Sequence, residues 1–182
     1  MSLAPGRHRL GPANGSVLVR TYREGMAAKA GHDLVIDVTR WEATVEVGDA
    51  GGVQALELEV DPHSLDVVEG IGGVKPLTDK DRAEIQRTIE SKVLAGRPIS
   101  FHSTTVRPAE TGGRLQVEGE LTLGGRARPV AANLDAGGDG SVSGTVSVTQ
   151  SEWGIKPYRG LMGALKVRDD VEVVIAVRLP SG

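Results

Sequence analysis

Between Arg114 and Leu123 apolar and polar residues take turns, with Leu115, Val117, Leu121 and Leu123 on one face and Gln116, Glu118, Glu120 and Thr122 on the other. A period of two marks a strand with one face buried. Leu56, Leu58 and Val60 alternate with Glu57, Glu59 and Asp61 in the same way. So do Val142, Val146 and Val148 with Ser141, Ser143, Thr145 and Ser147. A last strand places Val171, Val173, Ile175, Val177 and Leu179 on one face, while its other face mixes Glu172, Val174, Ala176 and Arg178. Weaker alternation predicts further strands over 16–22, 28–37, 40–47, 99–107 and 127–135. Turn signals separate them, among them Gly112-Gly113 and Gly124-Gly125, short enough for hairpins. Eight or nine strands joined this way read as a meander, which must close or stack to hide its edges.

One helix interrupts the strands. Thr78 is a good N-cap, with Asp81 three residues on in a capping-box arrangement. Ile85, Ile89 and Val93 recur every four residues, and Gly96 and Pro98 stop the helix, which the pattern places at about residues 79–95. Its single narrow stripe predicts packing on the outside of the sheet or across one end, as a fixed cover or as a gate.

Composition sharpens this in a few respects. The chain has 182 residues, net charge −3 and no cysteine. The length fits one domain spanning 1–182, and the charge offers no basic footprint for nucleic acid. Without cysteine there is no disulfide framework, thiol catalysis or thiolate zinc site. No segment reaches the roughly 20 apolar residues of a membrane helix. The start, Met1 to Gly6, shows no leader pattern, so a cytoplasmic location is expected unless a native leader has been removed. Aromatic residues are scarce and glycines number 25, which suits a curved sheet with an aliphatic interior.

Candidate chemistry is thin. The stretch Gly140-Ser141-Val142-Ser143-Gly144 resembles a nucleophile elbow but sets valine where serine is needed. His8, His32, His63 and His102 are spread out, without a metal-ligand spacing, and His102 is expected to face solvent. His32, between Gly31 and Asp33, is the one to watch, with a structural hydrogen bond or contact to a ligand head group as alternatives. Gly70 to Lys75 lacks a phosphate-loop spacing and reads as a connection into the helix. The stretch from Gly154 to Lys166 mixes cations, Tyr158 and apolar residues, as either a plain surface loop or a mouth loop that touches lipid or a membrane surface.

Pro98 to Ser103, Gly119 to Gly125 and Trp153 to Ile155 together resemble segments of the YceI-like family of bacterial lipid-binding proteins. Pro98-Ile99-Ser100-Phe101-His102-Ser103 is similar to the family's proline, β-branched, phenylalanine and serine run. Gly119-Glu120-Leu121-Thr122-Leu123-Gly124-Gly125 resembles its G-x-L-T-x-x-G strand and turn. Trp153-Gly154-Ile155 stands where the family has an aromatic-Gly-Ile motif, Val171 to Val177 resembles its closing strand, and Gly31-His32-Asp33-Leu34, earlier in the chain, resembles its histidine-containing second strand. The chain departs from the family in carrying the 78–94 helix where an aromatic-rich stretch is usual, and Ser151-Glu152 where an arginine is common.

The resemblance implies a mainly β fold, an eight-stranded antiparallel lipocalin-like barrel with one added α-helix. It also implies that an elongated cavity holds an isoprenoid chain, of the quinone or polyprenyl phosphate class, or a fatty-acyl lipid. The expected function is non-enzymatic binding, transport or storage of that lipid, without cofactor or metal. The alternative is a structural or protein-interaction module with a filled core. The candidate ligand-binding residues are His32, Trp41, Leu56, Leu58, Val60, Phe101, Leu115, Val117, Leu121, Val142, Val146, Val148, Trp153 and Tyr158. Peripheral membrane contact and a homodimer stay open as further partners.

Overall fold

The computed structural model describes residues 4–109 and 112–180. Among these the strands are β1 (Gly6–Leu10), β2 (Gly15–Thr21), β3 (Arg23–Glu24), β4 (Asp33–Val38), β5 (Trp41–Val47), β6 (Val53–Val60) and β7 (Leu65–Ile71). After helix α1 (Asp79–Thr88) come β8 (Ile99–Pro108), β9 (Arg114–Leu123), β10 (Arg126–Ala136), β11 (Ser141–Thr149), β12 (Arg159–Gly160), β13 (Leu165–Val167) and β14 (Asp170–Arg178). The fold is mainly β with one α-helix, as the alternation predicts. The strand expected over 28–37 begins only at Asp33, because Ala28–Ala30 form a 3-10 turn.

Eleven strands form one antiparallel sheet in the order β1-β5-β6-β8-β9-β10-β11-β14-β2-β4-β7. The count exceeds eight because three long strands are each broken in two. β1 and β2 both lie along the β4–β5 segment, and β6 and β7 lie along its other side. Rejoined in this way, eight strands remain. Their pairings run in a circuit from β2 through β4–β5, β6, β8, β9, β10, β11 and β14 back to β2. The sheet therefore curls round on itself, which leaves a period-two inner face and few free edges.

The breaks have local causes. Between β4 and β5 the chain turns at Thr39-Arg40, opposite residues 61–64 of the neighbouring long strand. Buried Ser64 satisfies the backbone there, since its hydroxyl donates to the Asp61 carbonyl (2.7 Å) and its own carbonyl accepts from Thr39 N–H (2.8 Å). In β7 the register slips so that Val35 faces Glu69 while Ile36 faces Val67, and Val68 is the extra residue. That bulge breaks the alternation and hides β7 from a period-two reading.

The predicted helix forms with its capping box. Thr78 Oγ1 accepts from Asp81 N–H (3.2 Å), and an Asp81 carboxylate oxygen accepts from Thr78 N–H (2.9 Å). Beyond Thr88 the helix continues as a π-type turn over Ile89–Val93, closed by Leu94 N–H donating to Ile89 O (2.8 Å). The wider turn shifts the stripe by one residue, so Leu94 is buried in the core alongside Ile85 and Ile89. The helix lies beside β7, where Arg82 Nη1 donates to Val68 O (3.1 Å). It covers an edge that β8 leaves open, since β8 pairs with β6 only at residues 57–60.

The main core lies on the inner side of the barrel and includes Leu10, Val17, Ile36, Val45, Val67, Val117, Leu134 and Val142. A second cluster of Val148, Trp153 and Ile155 packs with Leu121, Leu123 and Val171. The stretch expected as one loop, 154–166, instead contributes β12 and β13, which with β3 form a separate three-stranded sheet.

Candidate functional site

The inward positions of the strands enclose a cavity of about 200 Å³ inside the barrel. Ten of the fourteen sequence-predicted site residues line it, namely Trp41, Leu56, Leu58, Phe101, Leu115, Val117, Leu121, Val142, Val146 and Val148. Further wall comes from Leu10, Val17, Ala43, Val45, Val53, Val130, Ala132, Leu134, the β14 residues Val173, Ile175 and Val177, and Leu179 just beyond that strand. The β14 contribution follows from alternation already visible in the sequence. Leu10, Val17 and Ala43 lie in short or mixed stretches whose pattern is too weak to assign a face.

Among the described residues the wall is aliphatic and aromatic, and its one charged contributor is Glu57. That side chain is exposed, with its carboxylate 3.9 Å from His102 on the outer face. Such a surface offers hydrocarbon contact and almost no polar partner, so it suits an apolar chain. An empty apolar cavity of 200 Å³ forgoes about 5 kcal/mol of packing, at roughly 24 cal/mol per Å³. This is comparable with the whole stability of a small domain, about 5–15 kcal/mol. A ligand that fills the space recovers that energy.

Two local features shape the cavity. Gly119 is an inward position of β9, and a Cβ there would lie 2.4 Å from Phe101 Cζ. The missing side chain lets the Phe101 ring lie against the β9 backbone instead of standing upright in the cavity. β10 and β11 pair only at Asp135–Ser143 and Ala136–Val142, and diverge beyond. The cavity residues Val130, Ala132, Val146 and Val148 all belong to these two diverging strands.

The other four predicted residues lie elsewhere. Val60 packs against the core at the bend of its long strand, beside an outer groove. Trp153 is buried in the second cluster, and its Nε1–H donates to Leu121 O (2.9 Å), which fastens the 150–153 turn to β9. His32 and Tyr158 line a separate groove of about 550 Å³, bounded by α1, the start of β4 and β13. His32 Nε2 lies 2.7 Å from Lys75 O, and since a carbonyl can only accept, this nitrogen carries the hydrogen. The bond ties the 72–75 connection to the start of β4. At Gly73 (φ +76) a Cβ would lie 2.3 Å from His32 Nε2, so only glycine fits.

The groove mixes charge. Arg23, Lys75 and Lys166 line it together with Asp81 and Glu84. Arg23 is committed to the fold, because Nη1 donates to both Gly31 O and Ile71 O (2.8 Å each). Hydrogen bonds from Thr78 hold the Asp81 carboxyl below its ordinary range. At the neighbouring strand end, Tyr22 donates its hydroxyl to Glu172 (2.5 Å), which raises the phenol above its usual value. Among the described residues no three His, Asp or Glu side chains gather in a metal-binding cluster.

Comparison with solved structures places this barrel among relatives of low identity. The crystal structure of BcnA from Burkholderia cenocepacia superposes with a TM-score of 0.61 at 17% identity, covering 88% of this chain and 94% of that one. A Campylobacter jejuni YceI protein gives 0.53 at 12% identity, over 78% of this chain and 82% of its own. A polyisoprenoid binding domain from Saccharophagus degradans, implicated in plant cell wall breakdown, gives 0.53 at 9% identity, over 97% and 100%. These likenesses establish the fold. A search of curated proteins finds no match. The family model of the YceI-like domain matches residues 14–179, nearly the whole chain, and the protein therefore belongs to the YceI-like family.

Proposed function

We propose that the protein binds an isoprenoid or other long-chain lipid inside the barrel and carries or stores it without transforming it. The observation that carries this reading is the 200 Å³ interior cavity with its almost entirely apolar wall. Each CH₂ moved into it from water contributes roughly 0.8 kcal/mol, so a few branched units offset the cost of association. The likeness to a polyisoprenoid binding domain supports the same ligand class. The empty cavity is smaller than the roughly 300–1,000 Å³ of pockets for drug-sized ligands. A long chain therefore displaces wall side chains or extends toward the groove at the helix.

Within that class, a quinone or a polyprenyl phosphate fits the polar character of the groove, where Lys75 and Lys166 stand near Tyr158. Organic extraction of the purified protein followed by mass spectrometry tests the reading directly. A co-purifying lipid, or uptake of added polyprenyl compounds in equimolar amount, is the expected result. Absence of both overturns it.

A further inference from the structure

One end of the molecule exposes apolar side chains that the barrel does not use. Met26 and Met162 are fully exposed, and Leu161, Tyr158, Ile71 and Val74 are exposed as well. They come together because the small sheet pairs β3 with β13 and β13 with β12, and Ala27 N–H donates to Ala164 O (2.9 Å). Arg23 bonds the Ile71 carbonyl to the same corner. The tip thus adjoins the groove that Val74, Tyr158 and Lys166 line.

Two observations set this patch apart from scattered surface hydrophobes. Leu161 and Met162 hold φ values of 48° and 53°, the left-handed region where bulky side chains are strained. Glycine or asparagine would serve the turn at less cost, yet the chain keeps two large apolar residues there and points them at solvent. The charge is also uneven. Apart from Arg23, which the fold engages, residues 22–32 and 154–168 carry Lys29, Lys156, Arg159, Lys166 and Arg168 against Glu24, with Asp33, Asp169 and Asp170 directly flanking, whereas the whole chain is at −3. The flanking acids Asp33, Asp169, Asp170 and Glu172 accept hydrogen bonds from Arg23, Ser151, Thr149 and Tyr22 respectively. Asp81 and Glu84 lie on the helix side of the groove.

We propose that this tip is a peripheral docking surface for an anionic lipid bilayer, with Met26, Leu161 and Met162 inserting between head groups and the surrounding cations facing the acidic lipids. No helix among the described residues is long and apolar enough to cross a membrane. Shallow insertion of apolar side chains combined with attraction of basic residues is the usual physics of such binding. The inference extends the lipid-carrier reading by placing the groove beside the barrel against a source of lipid. The docking itself needs no ligand in the cavity.

Vesicle co-sedimentation tests it, using phosphatidylcholine vesicles with and without about one-third phosphatidylglycerol. Binding is expected to the anionic vesicles and to fall steeply with added salt. Met162→Gly and Leu161→Gly relieve the backbone strain, so the thermal midpoint is expected to hold or rise while vesicle binding drops several-fold. Lys29→Glu with Arg159→Glu lowers binding by at least tenfold, since each basic residue near an acidic surface is worth about a fivefold factor. Equal binding to neutral and anionic vesicles, or no loss in the glycine variants, overturns the proposal. So does self-association in sedimentation equilibrium that disappears in Met162→Gly, which assigns the patch to a second copy. A variant with a blocked cavity, Ala132→Phe, is expected to keep vesicle binding, so failure of the carrier reading and failure of docking are told apart.

Discussion

Replacing Ala132 by phenylalanine asks whether the barrel interior is empty. Ala132 lies on β10 opposite Val117, on the inner face and beside the seam where β10 and β11 diverge. If the 200 Å³ cavity is present, the new ring enters it and buries its surface, contributing about 1.5–3 kcal/mol. In a filled core the same ring forces neighbours off their rotamers and costs about 1–3 kcal/mol. The two cases therefore differ in sign. For a domain of this size each kcal/mol moves Tm by about 2–4 °C, so the expected rise is roughly 3–12 °C, reduced somewhat by side-chain ordering. Circular dichroism on heating reads the stability, and loading with a polyprenyl compound reads the site, which the ring is expected to abolish. A fall in Tm of a few degrees or more, with no xenon or hydrophobic dye entering the unaltered barrel, would refute the reasoning and leave a filled-core module.

Three further outcomes follow from particular contacts. Gly119→Val places a branched side chain where the Phe101 ring lies, so the ring is expected to move into the cavity, weakening both stability and lipid loading in equilibrium titration. Trp153→Phe removes the indole bond to Leu121 O and part of a buried side chain, and urea unfolding is expected to show a loss of about 1–3 kcal/mol. Asp81, Asp61 and Asp139 all have carboxyls held below the ordinary aspartate value of 3.8 by hydrogen bonds they accept. A lowered folded-state value means that stability is fully present above the ordinary value and is lost as the pH falls through the lowered one. Urea midpoints are expected to be flat near neutrality and to decline below about pH 4, with a shallower decline in Asp81→Ala.

Most of the inner wall was legible because alternation is a direct consequence of one-sided burial. On β9, β11 and β14, and on β6 from Leu56 onward, the inward positions are apolar or glycine, and Leu56, Leu115, Val117, Val142 and Ile175 all line the cavity. β7 was not legible, because its bulge at Val68 shifts the face that each later residue presents. The length of the helix was read closely from its cap and stop. Its π-type turn was not, since that depends on Leu94 reaching a core built from distant strands. Trp153 and Tyr158 carry the same kind of side chain in sequence, yet one is sealed beneath β9 and the other lies in the outer groove.

The sequence by itself determined the strand faces, the hairpin at Gly124-Gly125 and the capped helix, all of which depend on residues a few positions apart. Tertiary structure decided what those faces enclose. Closure requires β14 to pair with β2, some 150 residues away along the chain, and the cavity is the volume left when opposite walls meet. The gathering of Met26 with Met162 likewise depends on β3 pairing with β13. Local pattern records which side of a strand avoids water, but the space between two such sides belongs to neither strand alone.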